Sequence, residues 1–394
     1  MNTRPLEDHE AANLDAFRRA GLDHALVFIT ATGLKKSILD ATQPMRTLLS
    51  VYGIHDYSTQ GQGPESKKVI NSVHLDSLGS NSIKTSLYRP KTKQGDPRIW
   101  FSGLGKIAAP DDILILFVHH GDLHFANLTK LNLTSKTAKN FALVFLNSLF
   151  GSTSTASDEL LAALRAIASK GPIEAVCKGS TAIGRSIETA LGIQINSDRA
   201  PDFKGIEIKS GRSQISGRAT RATLFACVPD WDISQCKSSA EILDRYGYRR
   251  GNDDKLYCTV STKSSNPQGL QLKVESAGQI LNEFSNHPKT QKVAAWRLGR
   301  LHDYLTKKHK ETFWVKARTQ TINGREHFFL HSVVHTRNPS LPQFDDLLSK
   351  GTITLDHLIK RKNNRVTEKG PLFKIERDRI TDLFHSLPNT YSLP

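Results

Sequence analysis

The rhythm of apolar and polar positions changes along this chain. Residues 10–22 repeat at three- and four-residue spacing, the mark of one buried helix face. The pattern then becomes short runs of strand type, at 25–30, 69–74, 83–88, 98–101, 113–119 and 123–128. Gly, Pro, Asn and Asp punctuate them, so each run predicts a strand ending in a turn. A helix is expected within this region over 38–52. Many short strands with turn signals predict a barrel or pseudobarrel over residues 1–150.

Residues 151–157 read Gly-Ser-Thr-Ser-Thr-Ala-Ser, the composition of a short flexible linker. Ser157 then heads a helical pattern, with Asp158 and Glu159 in its first turn and Gly171-Pro172 after its end. Further on, the pattern predicts a helix over 181–191, strands near 206–210 and 220–228, and a helix over 240–246. Strands at 255–262 and 269–275, a long basic helix over 290–307, a hairpin of 312–319 with 327–335, a helix over 344–348 and a basic tail follow. The fold class is therefore α+β multidomain. A β-pseudobarrel spans 1–150, a linker 151–157, and an α/β domain with a mixed sheet 158–394.

Charge adds a partner to this picture. The chain carries 54 Lys and Arg against 38 Asp and Glu, a net charge of +16. Such an excess points to a polyanion, nucleic acid first and an anionic membrane second. Residues 1–150 hold 17 basic against 13 acidic side chains, so the larger surplus lies beyond the linker. Cys177, Cys227, Cys236 and Cys258 form no CxxC or zinc spacing and read as free thiols in a reducing compartment. No run approaches the roughly 20 apolar residues of a membrane span. The expectation is a soluble intracellular protein without a membrane partner.

Candidate chemistry concentrates in Pro201-Asp202-Phe203-Lys204-Gly205-Ile206-Glu207-Ile208-Lys209. On a strand Glu207 and Lys209 share one face while Ile206 and Ile208 take the other. Gly205 permits a bend that turns the Asp202 carboxylate toward that same face. Two carboxylates and an ammonium group suit phosphodiester hydrolysis. The acids can hold Mg²⁺, and the lysine can position water and stabilise negative charge. The plainer alternative is an exposed strand with an ordinary Glu–Lys pair.

These residues carry a resemblance. Gly184-Arg185-Ser186-Ile187-Glu188-Thr189-Ala190-Leu191-Gly192, then Pro201-Asp202, then Glu207-x-Lys209 resembles the PD-(D/E)xK nuclease pattern as MutH and the MvaI/BcnI endonucleases use it. Trp296 to His302, Phe313 to Ala317, His335-Thr336-Arg337 and Lys369 to Lys374 are similar to the MvaI/BcnI family specifically. The likeness covers about residues 158–385. It departs at Glu368, where the family pattern has a histidine. More weakly, Tyr88-Arg89 through Trp100 and Gly103 to Gly105 resemble the DNA-binding pseudobarrel of EcoRII.

The resemblance implies a type II restriction endonuclease of the bacterial cytoplasm, cutting double-stranded DNA at a CCWGG-type site with Mg²⁺. It implies a monomer that binds a second DNA copy through residues 1–150 as effector. Asp202 and Glu207 would hold the metal, Lys209 would assist the attacking water, and Glu188 would orient the cluster. A MutH-like strand-nicking repair enzyme and a non-enzymatic DNA-binding protein are the alternatives. In the nuclease domain His335, Arg337, Lys369 and Lys374 are expected to contact DNA, His335 and Arg337 sharing one face at a strand end. In the N-terminal domain the candidates are Lys35, Lys36, Arg46, Tyr88, Arg89, Lys91, Lys93, Arg98, Trp100 and Lys106.

Overall fold

Residues from both edges of the N-terminal sheet are buried in one core, and this sets its shape. The computed structural model describes residues 4–92, 95–133, 140–149, 155–179, 181–193, 201–213, 221–275, 279–286, 290–368 and 370–394. Seven N-terminal strands lie in the order His24–Phe28, Ile113–His119, Asp122–Asn127, Lys68–Leu75, Ser80–Tyr88, Arg98–Phe101 and Leu39–Asp40. Only Asp122–Asn127 and Lys68–Leu75 run parallel. Val27 on one edge and Leu39 on the other share a cluster with Leu48, Phe101, Leu116 and Phe125. A flat sheet of strands about 4.8 Å apart would hold those edges about 29 Å apart, so the sheet curls. Ile113, Ile115 and Phe117 face the other way, into a second core with Phe17 and Leu146 from the helices Asp8–Arg19 and Phe141–Asn147. The helix expected over 38–52 is shorter, Gln43–Val51, because Leu39–Asp40 joins the sheet.

Helix Thr155–Ser169 opens the second half, and Ser157 lies inside it rather than at its cap. The sheet that carries the motif has the order Asn389–Ser392, Arg325–Arg337, Glu311–Ile322, Glu207–Arg212. Glu207–Arg212 is its edge strand and runs parallel to Glu311–Ile322. Leu160, Leu164, Ile183, Ile187, Ile208, Phe313 and Phe328 form its core.

The expected single α/β layer is instead two lobes. Arg221–Ala226, Leu372–Glu376, Ile353–Lys362, Asp253–Val260 and Tyr248–Arg250 make a separate antiparallel sheet, with Arg365–Thr367 beside it. It shares a core of Trp296, Phe344 and Phe373 with the three-stranded sheet Leu270–Glu275, Ile280–Ser285, Gln291–Arg297. The long helix expected over 290–307 is a strand, Gln291–Arg297, followed by a helix, Leu298–His309. Val293, Ala294, Ala295 and Trp296 are all buried, and a continuous apolar run suits a covered strand as well as a helix. The basic tail also holds strands, in which Thr354 lies between buried Ile353 and Leu355 and Lys374 between buried Phe373 and Ile375.

The two halves meet through buried polar groups as well as packed helices. Helix Gln43–Val51 lies against helix Leu341–Ser349. Thr47 Oγ1 donates to Asp345 Oδ2, and Gln43 Nε2 donates to the same oxygen at 3.2 Å. Ser340 Oγ donates to Asp23 Oδ1 at 2.5 Å, and Arg18 Nη2 donates to Thr381 O at 2.8 Å. Beside this contact lies a cleft of about 2070 Å³, lined by Lys36, Arg98, Lys273 and Lys350 and by none of the motif residues.

The contact contains groups whose protonation is set by burial. His24 and His385 are held down to about 4, while the Asp23 carboxyl is pushed up to about 7. A histidine with depressed affinity for protons stabilises the fold above about 6.5 and loses that contribution as pH falls toward 4. The Asp23 contribution has the opposite sign: it is complete below about 4 and lost as pH rises through 7. Two histidines outweigh one carboxyl, so the denaturant midpoint should fall between pH 7 and pH 4.5. Asp23→Asn should make that fall steeper; a flat profile in both proteins would contradict the assignment.

Candidate active site

The motif strand presents different chemistry on its two sides. Ile206 and Ile208 are buried against helix Ala182–Ala190, while Glu207, Lys209 and Gly211 take the other face. Ahead of the strand, Lys204 and Gly205 both have positive φ, 44° and 88°. Phe203 and Ile206 exchange backbone hydrogen bonds of 2.9 and 2.7 Å across them, closing a two-residue turn of the kind that needs positive φ at both positions. The turn folds Asp202 back along the strand, where its Oδ2 accepts the Ile208 N–H at 2.8 Å. The bend expected at Gly205 is therefore present.

Helix Ala182–Ala190 brings Glu188 to the cluster. Its Ile183, Ser186 and Ile187 are buried, and Gly184 faces Ser210 of the motif strand. Burial first, then the charges of Asp202 and Glu207, raise the Glu188 carboxyl above its ordinary proton affinity, with Lys209 and Arg185 pulling against them.

Glu207 is 1% exposed and lies between two ammonium groups. Lys209 Nζ is 2.5 Å from Oε1 and Lys308 Nζ is 2.8 Å from Oε2. Oε2 accepts no hydrogen bond of good geometry, so its contact with Lys308 is ionic and leaves lone-pair directions open. Lys308 sits in the last turn of helix Leu298–His309. His309 pins that helix end, its Nδ1 3.0 Å from Thr312 Oγ1 and its Nε2 3.0 Å from Leu224 O. Its ring stacks on Trp314 at 5.5 Å. Burial, then the Lys209 charge, holds His309 neutral, down to about 3. Thr312 is the register partner of Glu207, so the pin lies level with the carboxylate.

Arg377 comes to the same face from the other lobe. A Cβ on Gly211 would stand 2.0 Å from Arg377 Nη1, so the guanidinium occupies the space a side chain would fill. Its Nε has no hydrogen-bond partner, and among the described residues it forms no ion pair. Sequence reading missed both Lys308 and Arg377. The first was legible only as a cation at a helix C-terminus, and the second lies more than 160 residues from the motif.

The donor set fits a hard divalent cation. Among the described residues no three His, Cys, Asp or Glu side chains form a complete metal cage. Two carboxylates with room for water and a phosphate oxygen are what Mg²⁺ takes. Asp202 and Glu207 are the residues that would hold it.

The expected DNA contacts divide. His335 is 2% exposed, lies 2.8 Å from Glu311 Oε1 and packs on Phe313, so its ring is engaged within the protein. Arg337 is half-buried at the strand end and forms no ion pair among the described residues. Lys374 is engaged with Asp356 at 2.8 Å, in a network with Arg221. In the first half Arg46 is buried and donates to Gln43 Oε1 at 2.7 Å. Arg89 donates to Gly95 O at 2.8 Å and Gln60 O at 3.0 Å, and Arg98 pairs with Asp40. All three side chains are thus engaged within the protein. Lys35, Lys36 and Lys106 are exposed. Tyr88, Lys91 and Trp100 line a concavity of about 490 Å³ together with Lys67, although Lys91 also lies 2.8 Å from Glu65. Lys93 and Lys369 lie outside the described residues.

Fold and site together define a site-specific DNA nuclease of the restriction endonuclease class. Residues 161–384, more than half of the chain, match the family model described as the MvaI/BcnI restriction endonuclease family, and the chain belongs to that family. A solved structure of restriction endonuclease MvaI with its cognate DNA substrate is similar at 20% identity and a TM-score of 0.53, over 61% of this chain and 99% of that one. MvaI in the absence of DNA is 18% identical, over 62% of this chain and 100% of that one, with a TM-score of 0.37. Comparison with curated proteins gave no match.

Two outcomes follow from this geometry. Asp202→Ala or Glu207→Ala should lower single-turnover cleavage by at least about a thousandfold while duplex binding survives, because metal-based charge stabilisation is worth several kcal/mol. Cleavage by Asp202→Ala within about tenfold of the parent, roughly 1.4 kcal/mol, would mean the site is misassigned. Gly211→Ala meets only the mobile end of Arg377, so the denaturant midpoint should hold while cleavage falls; a parental rate would remove Arg377 from the site.

Proposed function

We propose that this protein is a Mg²⁺-dependent type II restriction endonuclease, hydrolysing double-stranded DNA at a CCWGG-type site. The observation that carries this reading is the convergence of Glu188, Asp202, Glu207, Lys209 and Lys308 at one strand within the family match. A divalent cation held by Asp202 and Glu207 would neutralise charge on the phosphate and lower the pKa of bound water. Lys209 Nζ then holds the attacking water and stabilises the charge that develops. Glu188, whose ionised carboxylate is made more basic by burial and the neighbouring acids, would take the proton that the attacking water gives up. Asp202 keeps its place through the Ile208 N–H.

The domains are read as a pseudobarrel over 1–150, a linker that ends before helix Thr155–Ser169, and the nuclease beyond. The curled seven-stranded sheet supports the pseudobarrel reading, and its exposed Lys35, Lys36 and Lys106, with the Tyr88–Trp100 concavity, suit a second DNA duplex. The protein acts as a monomer in the bacterial cytoplasm, cutting one strand at a time. A MutH-like nicking enzyme would share the chemistry but leave one strand intact.

Digestion of a plasmid of known sequence with Mg²⁺, followed by mapping of the ends, tests the reading. Double-strand ends confined to CCWGG-type sites are expected. Nicks alone would favour the MutH-like enzyme, and ends elsewhere would exclude this target. For the first half, replacing Lys35, Lys36 and Lys106 by Ala should lower the slope of log affinity against log salt by about 0.9 for each phosphate that is no longer neutralised. An unchanged slope would take these lysines off the DNA.

A further inference from the structure

One helix joins the contact between the two halves to the active centre. Leu298–His309 carries His302 near its start and Lys308 in its last turn, six residues or about 9 Å apart along the axis. At Lys308 the helix touches Glu207. At His302 it meets Asp345, with Nε2 2.8 Å from Oδ1. Asp345 is fully buried, and its other oxygen takes the Thr47 hydroxyl and the Gln43 amide. One carboxylate therefore binds a helix of the N-terminal half and the helix that supplies the second active-site lysine.

We propose that Asp345 and Thr47 are positioning residues for the active centre. They hold helix Leu298–His309 so that Lys308 stays on Glu207 Oε2, and the N-terminal half thereby sets how easily a divalent cation displaces that lysine. The geometry makes this a mechanical link. A buried carboxylate with donors on both oxygens cannot lose one without leaving a charge undersolvated, so a shift of helix Gln43–Val51 is passed on rather than absorbed. At the far end His309 is locked to Thr312 and Leu224, so a shift at His302 tilts the helix about that lock, one residue from Lys308. A cation at Glu207 must replace one or both ammonium charges, so whatever holds Lys308 in place competes with the metal. The inference rests on the reading of Asp202 and Glu207 as the metal centre, and its test separates the two.

The test is Mn²⁺ binding to the full-length protein without DNA, measured from the free-ion signal by electron paramagnetic resonance. Lys308→Met should tighten Mn²⁺ binding by removing the competitor. Thr47→Val should tighten it by about fivefold, the low end of couplings between linked sites, and Thr47→Ser should restore the parental affinity. Thr47→Val added to Lys308→Met should give no further change, since both act through the same ammonium group. Parental affinity in a folded Thr47→Val protein, or full additivity in the double variant, would overturn the link. If Asp202→Ala binds Mn²⁺ as the parent does, the centre itself is wrong and the link falls with it.

Discussion

The nuclease site depends on a single buried carboxylate. Glu207 sits at the edge of a parallel strand pair, almost wholly out of water, and a lone charge in that position would be costly. Two lysines resolve this, one from its own strand and one from a helix that begins at the other lobe's sheet. Together they carry the charge of a divalent cation. The surrounding structure reads as what is needed to keep them there: the turn at Lys204-Gly205 that returns Asp202, the buried face of helix Ala182–Ala190 that carries Glu188, and the His309 lock on the helix end.

In that arrangement the proposed active centre belongs to neither lobe alone. Glu188, Asp202, Glu207 and Lys209 come from the lobe with the mixed sheet. Lys308 and Arg377 come from elements packed on the other core, through Leu301, Leu305 and Ile380. A relative movement of the lobes would alter the ion pairs directly. The N-terminal half rests on the same region through helices Gln43–Val51 and Leu341–Ser349, so its influence on cleavage has a short physical path.

Most of the strand pattern was legible in the sequence, and so was the placing of Asp202, Glu207 and Lys209 at the heart of the candidate site. Alternation around Ile206 and Ile208, with glycine at the bend, was enough to put Glu207 and Lys209 on the correct face. The region 290–307 misled because Val293 to Trp296 is apolar without a break, and periodicity cannot tell a covered strand from a helix there. The engagement of His335, Arg46, Arg89 and Arg98 within the protein was hidden for a related reason. Sequence displays a basic side chain but not the buried acid or carbonyl that engages it, such as Glu311, Gln43, Gly95 and Asp40. Lys308 and Arg377 were invisible because only the tertiary fold brings them to the strand.

A metal centre formed by Asp202 and Glu207, with Lys308 displaced from it, is open to direct observation. Anomalous scattering from crystals soaked in Mn²⁺ would locate the ion. One peak is expected within roughly 2.0–2.3 Å of an oxygen from each carboxylate, close to the spacing that hard divalent ions adopt, with Lys308 Nζ moved off Oε2. A peak at another cluster, or Lys308 unmoved beside an occupied site, would show that the centre is not built this way.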